Sequence, residues 1–150
     1  MFHKLAIAAA VTGLLASSSA PAKPYVDYTP QKGMWNINAI EVDPNHVDEY
    51  LEGLRKSQVP ALEVMKAHGL IDDYRFMVRG NYIKGTPNVL IQTHYPSGAM
   101  LDPNQARDEA IDKDIRKLFT EAQDKTAVAG YEKYRTFIDE GLWGEVKMVK

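Results

Sequence analysis

The stretch MWNINAIEVDP, residues 34–44, decides the fold. Its residues alternate, with Trp35, Ile37 and Ala39 on one side and Asn36, Asn38 and Ile40 on the other, which predicts a strand over residues 34–42. Asp43-Pro44 ends it and opens a helix. The Asp43 carboxylate can accept from free backbone N–H groups, and Pro44 occupies the first turn, where no donor is needed. Val47, Tyr50, Leu51, Leu54, Ala61, Leu62 and Met65 then recur at three- and four-residue spacing, giving one buried helical stripe that Gly69 stops. Pro60 removes a ladder bond inside that pattern, so a kink or break is expected near Gln58.

Outward from this unit, residues 72–79 alternate again, with Tyr74, Phe76 and Val78 opposed to Arg75, Met77 and Arg79. Residues 89–95 form the next strand, and the turn-rich GNYIKGTPN between them predicts a hairpin with a long tip. Asp102-Pro103 repeats the capping device before a second helix with Ile111, Ile115, Leu118, Phe119 and Ala122 on its apolar stripe. Gly130 is expected to break that helix. Tyr131, Tyr134, Arg135 and Ile138 then read as a shorter helix closed by Gly141, and residues 145–149 as a final strand.

The order strand, helix, strand, strand, helix, strand predicts an α+β ferredoxin-like sandwich, an antiparallel four-stranded sheet with helices on one face. In that arrangement the first and third strands are central. The helices are expected over Trp35, Ile37, Tyr74, Phe76, Val78, Val89, Ile91, Val146 and Met148. The open face then collects Asn36, Asn38, Arg75, Arg79, Gln92, His94, Glu145 and Lys147.

With this element order and with the ends MWNINAIEVDP and GEVKMVK, residues 34–150 resemble the dimeric α/β-barrel superfamily, in particular secreted members without an assigned role. The resemblance implies a homodimer in which two sheets pack through their open faces. It selects no chemistry, because the fold carries many functions.

Residues 1–22 run from Lys4 through an uncharged apolar stretch, Leu5 to Ala16, into small residues ending at Ala20 and Ala22. This is the layout of a secretory signal peptide, and the stretch is shorter than the ~20 residues that span a bilayer. The expectation is cleavage after Ala22, a periplasmic or secreted product with no membrane insertion, an extended arm at 23–33 and one domain at 34–150. Loss of Lys4 takes away one of 18 basic residues and none of 20 acidic ones, leaving a net charge of −3. No basic stripe is present for nucleic acid. The absence of cysteine excludes disulfides, thiolate metal sites and a cysteine nucleophile.

Among the open-face residues, His94 is the group whose intrinsic pKa suits proton transfer near neutrality. Arg75 or Arg79 would then hold an anion formed on an enolate, carboxylate or phenolate, with Asn36, Asn38 and Gln92 orienting the substrate. Tyr82, between glycines at the hairpin tip, is a candidate lid. His46 and His68 have structural roles at the ends of the first helical stripe, and neither is spaced to share a metal with His94. No nucleotide, triad-hydrolase or zincin motif occurs, so no cofactor and no metal is expected. Two functions follow: binding of a small aromatic or oxygenated organic molecule with cofactor-independent acid–base chemistry at His94, or a non-enzymatic binding or stress-related dimer.

Overall fold

The computed structural model describes residues 21–150, apart from the side chains of Glu121, Asp124 and Ala127. The signal-peptide segment therefore lies outside the described residues, except for its last two positions. Strand β1 spans Tyr28–Pro30 and β2 Met34–Val42; helices α1 and α2 span Val47–Lys56 and Gln58–Ala67. Strands β3 (Asp73–Val78) and β4 (Val89–Tyr95) form the hairpin, helices α3 (Gln105–Leu118) and α4 (Glu121–Glu132) follow, and β5 (Arg135–Trp143) and β6 (Val146–Met148) end the chain. The main sheet is antiparallel in the order β3-β4-β2-β5. With the first and third of its strands central and the helices on one face, this is the ferredoxin-like sandwich.

The helical stripe breaks where Pro60 demands it. Lys56 ends α1 and Gln58 begins α2, with Ser57 at the junction. Asp43 accepts from the Asn45 N–H at 2.9 Å, as its position before Pro44 predicts. The second cap falls at Asn104, whose side chain accepts from the Arg107 N–H at 3.1 Å, two residues beyond the expected Asp102.

Two expectations are corrected. Residues 135–143 form the fourth sheet strand, not a helix; α4 runs through Gly130 to Glu132. The register between β2 and β5 shifts so that Ala39 faces Asp139 and Ile40 faces Phe137, which leaves Ile138 as an extra residue. This bulge breaks the two-residue period that would have identified a strand. Residues 146–148 do form a strand, but they pair with β1 in a separate two-stranded ribbon.

The second correction concerns the faces of β2. The core is made by Ile40, Val42, Val89 and Ile91 from the sheet and by Tyr50, Leu54 and Tyr131 from the helices. Ile40 stands opposite Val89, so the even-numbered residues of β2 lie on the helix side, and Asn36 and Asn38 lie there with them. Trp35 and Ile37 occupy the open face instead. Two buried aliphatic residues at the end of the strand outweigh the aromatic at its start, because they lie beneath Tyr50 and Leu54.

Gly53 admits the α4 helix. A Cβ at this position would stand 2.2 Å from the Tyr131 ring, so only a glycine lets that ring rest on α1. Asn88, buried at the end of the hairpin connection, closes β2: its side chain accepts from the Val42 N–H at 2.7 Å and donates to the Val42 carbonyl at 2.8 Å.

Candidate functional site

The β3–β4 hairpin register places Asp73 opposite His94 and Arg75 opposite Gln92, and the β2–β4 register places Trp35 opposite His94. Arg75, Gln92 and His94 therefore share the open face with Trp35. Asp72, one residue before β3, extends the ladder by donating its N–H to the His94 carbonyl at 3.1 Å. Its carboxylate then lies 2.5 Å from Nδ1 of His94. A neutral ring that carries its proton on Nδ1 would donate it to Asp72 and leave Nε2 as the acceptor.

The ring is braced on two further sides. Trp35 packs against it with centroids 4.7 Å apart, and the Arg75 guanidinium lies 4.5 Å from the Trp35 ring. Arg75 is also held by Asp73, at 2.8 Å. Gly33, at φ +81°, lies beside Nε2, and a Cβ there would be 2.5 Å from that atom. The His94 side chain keeps 17% of its surface exposed.

Trp35, Asp72, Asp73, Arg75 and His94 line an open cleft of about 700 Å³ between the sheet, the β1 strap and the residue before β6. Lys32 and Arg75 supply positive charge and Asp72, Asp73 and Glu145 negative charge. Since Asp73 is engaged by Arg75 and Asp72 by His94, the cleft presents an imidazole and a guanidinium on an indole. That set suits an organic anion with a flat body.

Five candidates from the sequence do not line this cleft; Gln92, one of them, stays on the open face opposite Arg75. Asn36 and Asn38 lie on the helix side, where Asn38 donates to Asn36 at 3.1 Å and Asn36 to Glu140 at 3.2 Å. Arg79 stands six residues along the strand from the His94 register, roughly 20 Å at the rise of a strand, and donates to Asn81 and Thr86 of its own hairpin. Tyr82 does not close over the sheet; it donates to Glu41 at 2.7 Å, and the Gly85 N–H donates to the same oxygen. These two bonds, the tyrosine's first, hold the Glu41 carboxyl below its usual range, and the Glu41 partner raises Tyr82.

Asp72 and Gly33 are the participants that sequence reasoning missed. The signal for Asp72 was present: counting the hairpin back from Val78 opposite Val89 brings Asp73 to His94 and Asp72 beside it. Of the other histidines, His68 pairs with Asp114 at 2.9 Å and His46 stacks on Tyr134 at 3.9 Å. Among the described residues no three histidine or carboxylate groups gather as a metal site, and no helix is long and apolar enough to cross a membrane.

Neither a protein-family model nor a curated protein matches the chain. Among solved structures it is similar to a dimeric ferredoxin-like protein from an uncultured marine organism, at 13% identity over 80% of this chain and 91% of that one, with a TM-score of 0.47. It is also similar to a dimeric ferredoxin-like protein of unknown function from Thermobifida fusca, at 11% identity over 79% of this chain and 92% of that one, with a TM-score of 0.38.

Proposed function

We propose that the chain is an exported homodimer that binds a small oxygenated or aromatic organic acid in the cleft of Trp35, Arg75 and His94, and that the Asp72–His94 pair moves a proton on it without a cofactor. The contact between Asp72 and Nδ1 carries the reading. A carboxylate on one ring nitrogen orients the imidazole and supports the cation that forms when the other nitrogen takes a proton. Arg75 would hold the anion so produced.

The dimer is supported by the apolar centre of the same face. Ile37 and Leu90 stand there with Met77 and Trp143, which are 52% and 56% exposed. A second sheet packed on this face would remove that surface from water and close the cleft. Export is supported by the layout of residues 1–22.

The contact with Gly33 favours a second reading, in which His94 is a packing brace and the dimer binds its ligand without reaction. Two measurements separate the readings. Small molecules released by denaturing protein purified from the exporting cell are identified by mass, and the bound compound is then incubated in deuterium oxide with wild type and His94→Asn. The proposal expects an organic acid whose acidic C–H exchanges only with wild type, and lower occupancy in Arg75→Ala. A bound acid with no exchange leaves the brace, and no bound acid removes the cleft as a site.

A further inference from the structure

A second cavity, of about 410 Å³, opens between α2, α3 and α4, on the opposite side of the sheet from His94. Ala61, Ile115, Phe119 and Val128 give it apolar walls. Its polar side is made by Ser57, Gln58, Tyr131 and Arg135. The Ser57 hydroxyl donates to the Gly53 carbonyl at 2.9 Å, so in its 3.0 Å contact with Tyr131 the tyrosine is the donor. Both hydroxyl protons are thereby committed, and the charged donor facing the cavity is Arg135.

Arg135 is unusual in its surroundings. Its guanidinium lies 5.5 Å from the Tyr131 ring and 4.8 Å from the Phe137 ring, and among the described residues it forms no ion pair. Tyr50 lies against the same group. It is fully buried, meets Tyr131 edge-on at 5.4 Å, and its hydroxyl has no hydrogen-bond partner of good geometry. Burial pushes its phenol up from the usual value, and the Arg135 guanidinium, near the hydroxyl though outside good hydrogen-bond geometry, opposes that rise first by this approach and then by its charge. Glu41 and Asp43 line a separate cavity that Arg135 also borders, but among the described residues no carboxylate lines this one, so the part-buried guanidinium set among aromatic rings is the group that can pair with an anion entering it.

We propose that this cavity is a binding site for a small organic carboxylate with an apolar body, its carboxylate paired with Arg135 and its body against Ile115, Phe119 and Val128. A carboxylate fits better than a phosphate, because one guanidinium offers a single positive charge against a phosphate's near-double negative one, and Ala61, Ile115, Phe119 and Val128 offer an apolar body its contacts. The site is independent of the His94 cleft, since it needs neither the open face nor a second copy.

The test titrates the full chain with benzoate and with its neutral isostere benzamide, following backbone amides by NMR. Benzoate is expected to shift Ser57, Val128, Tyr131 and Arg135 while leaving Trp35 and His94 in place, and to bind about tenfold or more tightly than benzamide, the difference that a charge-assisted pair makes. Arg135→Gln should bring benzoate down to the benzamide level, and Ala61→Phe should abolish both by filling the cavity. The comparison of the two ligands on wild type stands even if a variant fails to fold. Equal binding of benzoate and benzamide, shifts confined to Trp35 and His94, or no shift at about 10 mM would each overturn the proposal.

Discussion

Gly33 and His94 meet across the turn that opens β2, so closely that a Cβ at position 33 would lie 2.5 Å from Nε2 and 2.4 Å from the Tyr95 carbonyl. The backbone there is also left-handed, at φ +81°. Gly33→Ala must therefore strain the backbone and displace the imidazole from Asp72. A loss of about 2–4 kcal/mol is expected, measured by urea unfolding, with movement of the His94 ring signals in the folded fraction. Unchanged stability and unchanged ring signals would show that the contact is slack.

Asn88 is buried and satisfies both main-chain groups of Val42. Asn88→Ala leaves a buried N–H and a buried carbonyl without partners, and urea unfolding should register a loss of about 2–4 kcal/mol. Asn88→Asp keeps the acceptor and removes the donor, so its loss should be smaller at the Val42 N–H and concentrated at the carbonyl.

Glu41 holds the hairpin tip through Tyr82 and Gly85, and both bonds favour its charged form. A carboxylate with a lowered folded pKa gives support that is complete above its unfolded value and is lost as pH falls through the folded one. The Gly85 amide shift should accordingly titrate below the ordinary carboxylate range. In Tyr82→Phe the largest cause of the lowering is gone, and the midpoint should move up. A midpoint unaffected by the change would mean that the tyrosine bond does not form in solution.

Met77 stands on the open face, exposed in the single chain. If a second copy covers it, Met77→Asp should raise the dimer dissociation constant by about tenfold or more while leaving the folding of each subunit almost untouched. Sedimentation of the variant beside wild type reads the first effect and far-UV circular dichroism the second.

The architecture was legible where local chemistry and period agree. Asp43-Pro44 marked the helix start, Pro60 marked the break at Ser57, and the alternation of Tyr74, Phe76 and Val78 against Arg75 placed that arginine on the open face with His94. It was not legible where two patterns compete on one strand. In β2, Trp35 and Ile37 compete with Ile40 and Val42, and the outcome depends on which pair lies under Tyr50 and Leu54, a tertiary fact. In β5 the extra residue at Ile138 erased the alternation, while Tyr131, Tyr134 and Ile138 kept a helical spacing. Arg79 and Tyr82 share a hairpin with Arg75 but not its neighbourhood, because strand rise carries them away from His94 and Glu41 captures the tip. Asp72 escaped notice because the alternation over residues 72–79 counts it with Tyr74 and Phe76 on the helix side, whereas the strand begins at Asp73 and the residue before it turns to the histidine.

Native mass spectrometry of protein purified from its native source tests the central claim most directly, because one spectrum reads subunit number and any retained small molecule together. The account predicts a dimer of chains beginning at Lys23, carrying an organic acid that is depleted in Arg75→Ala. A bare monomer would contradict it, leaving Trp35, Arg75 and His94 on an open surface with no second copy to close over them.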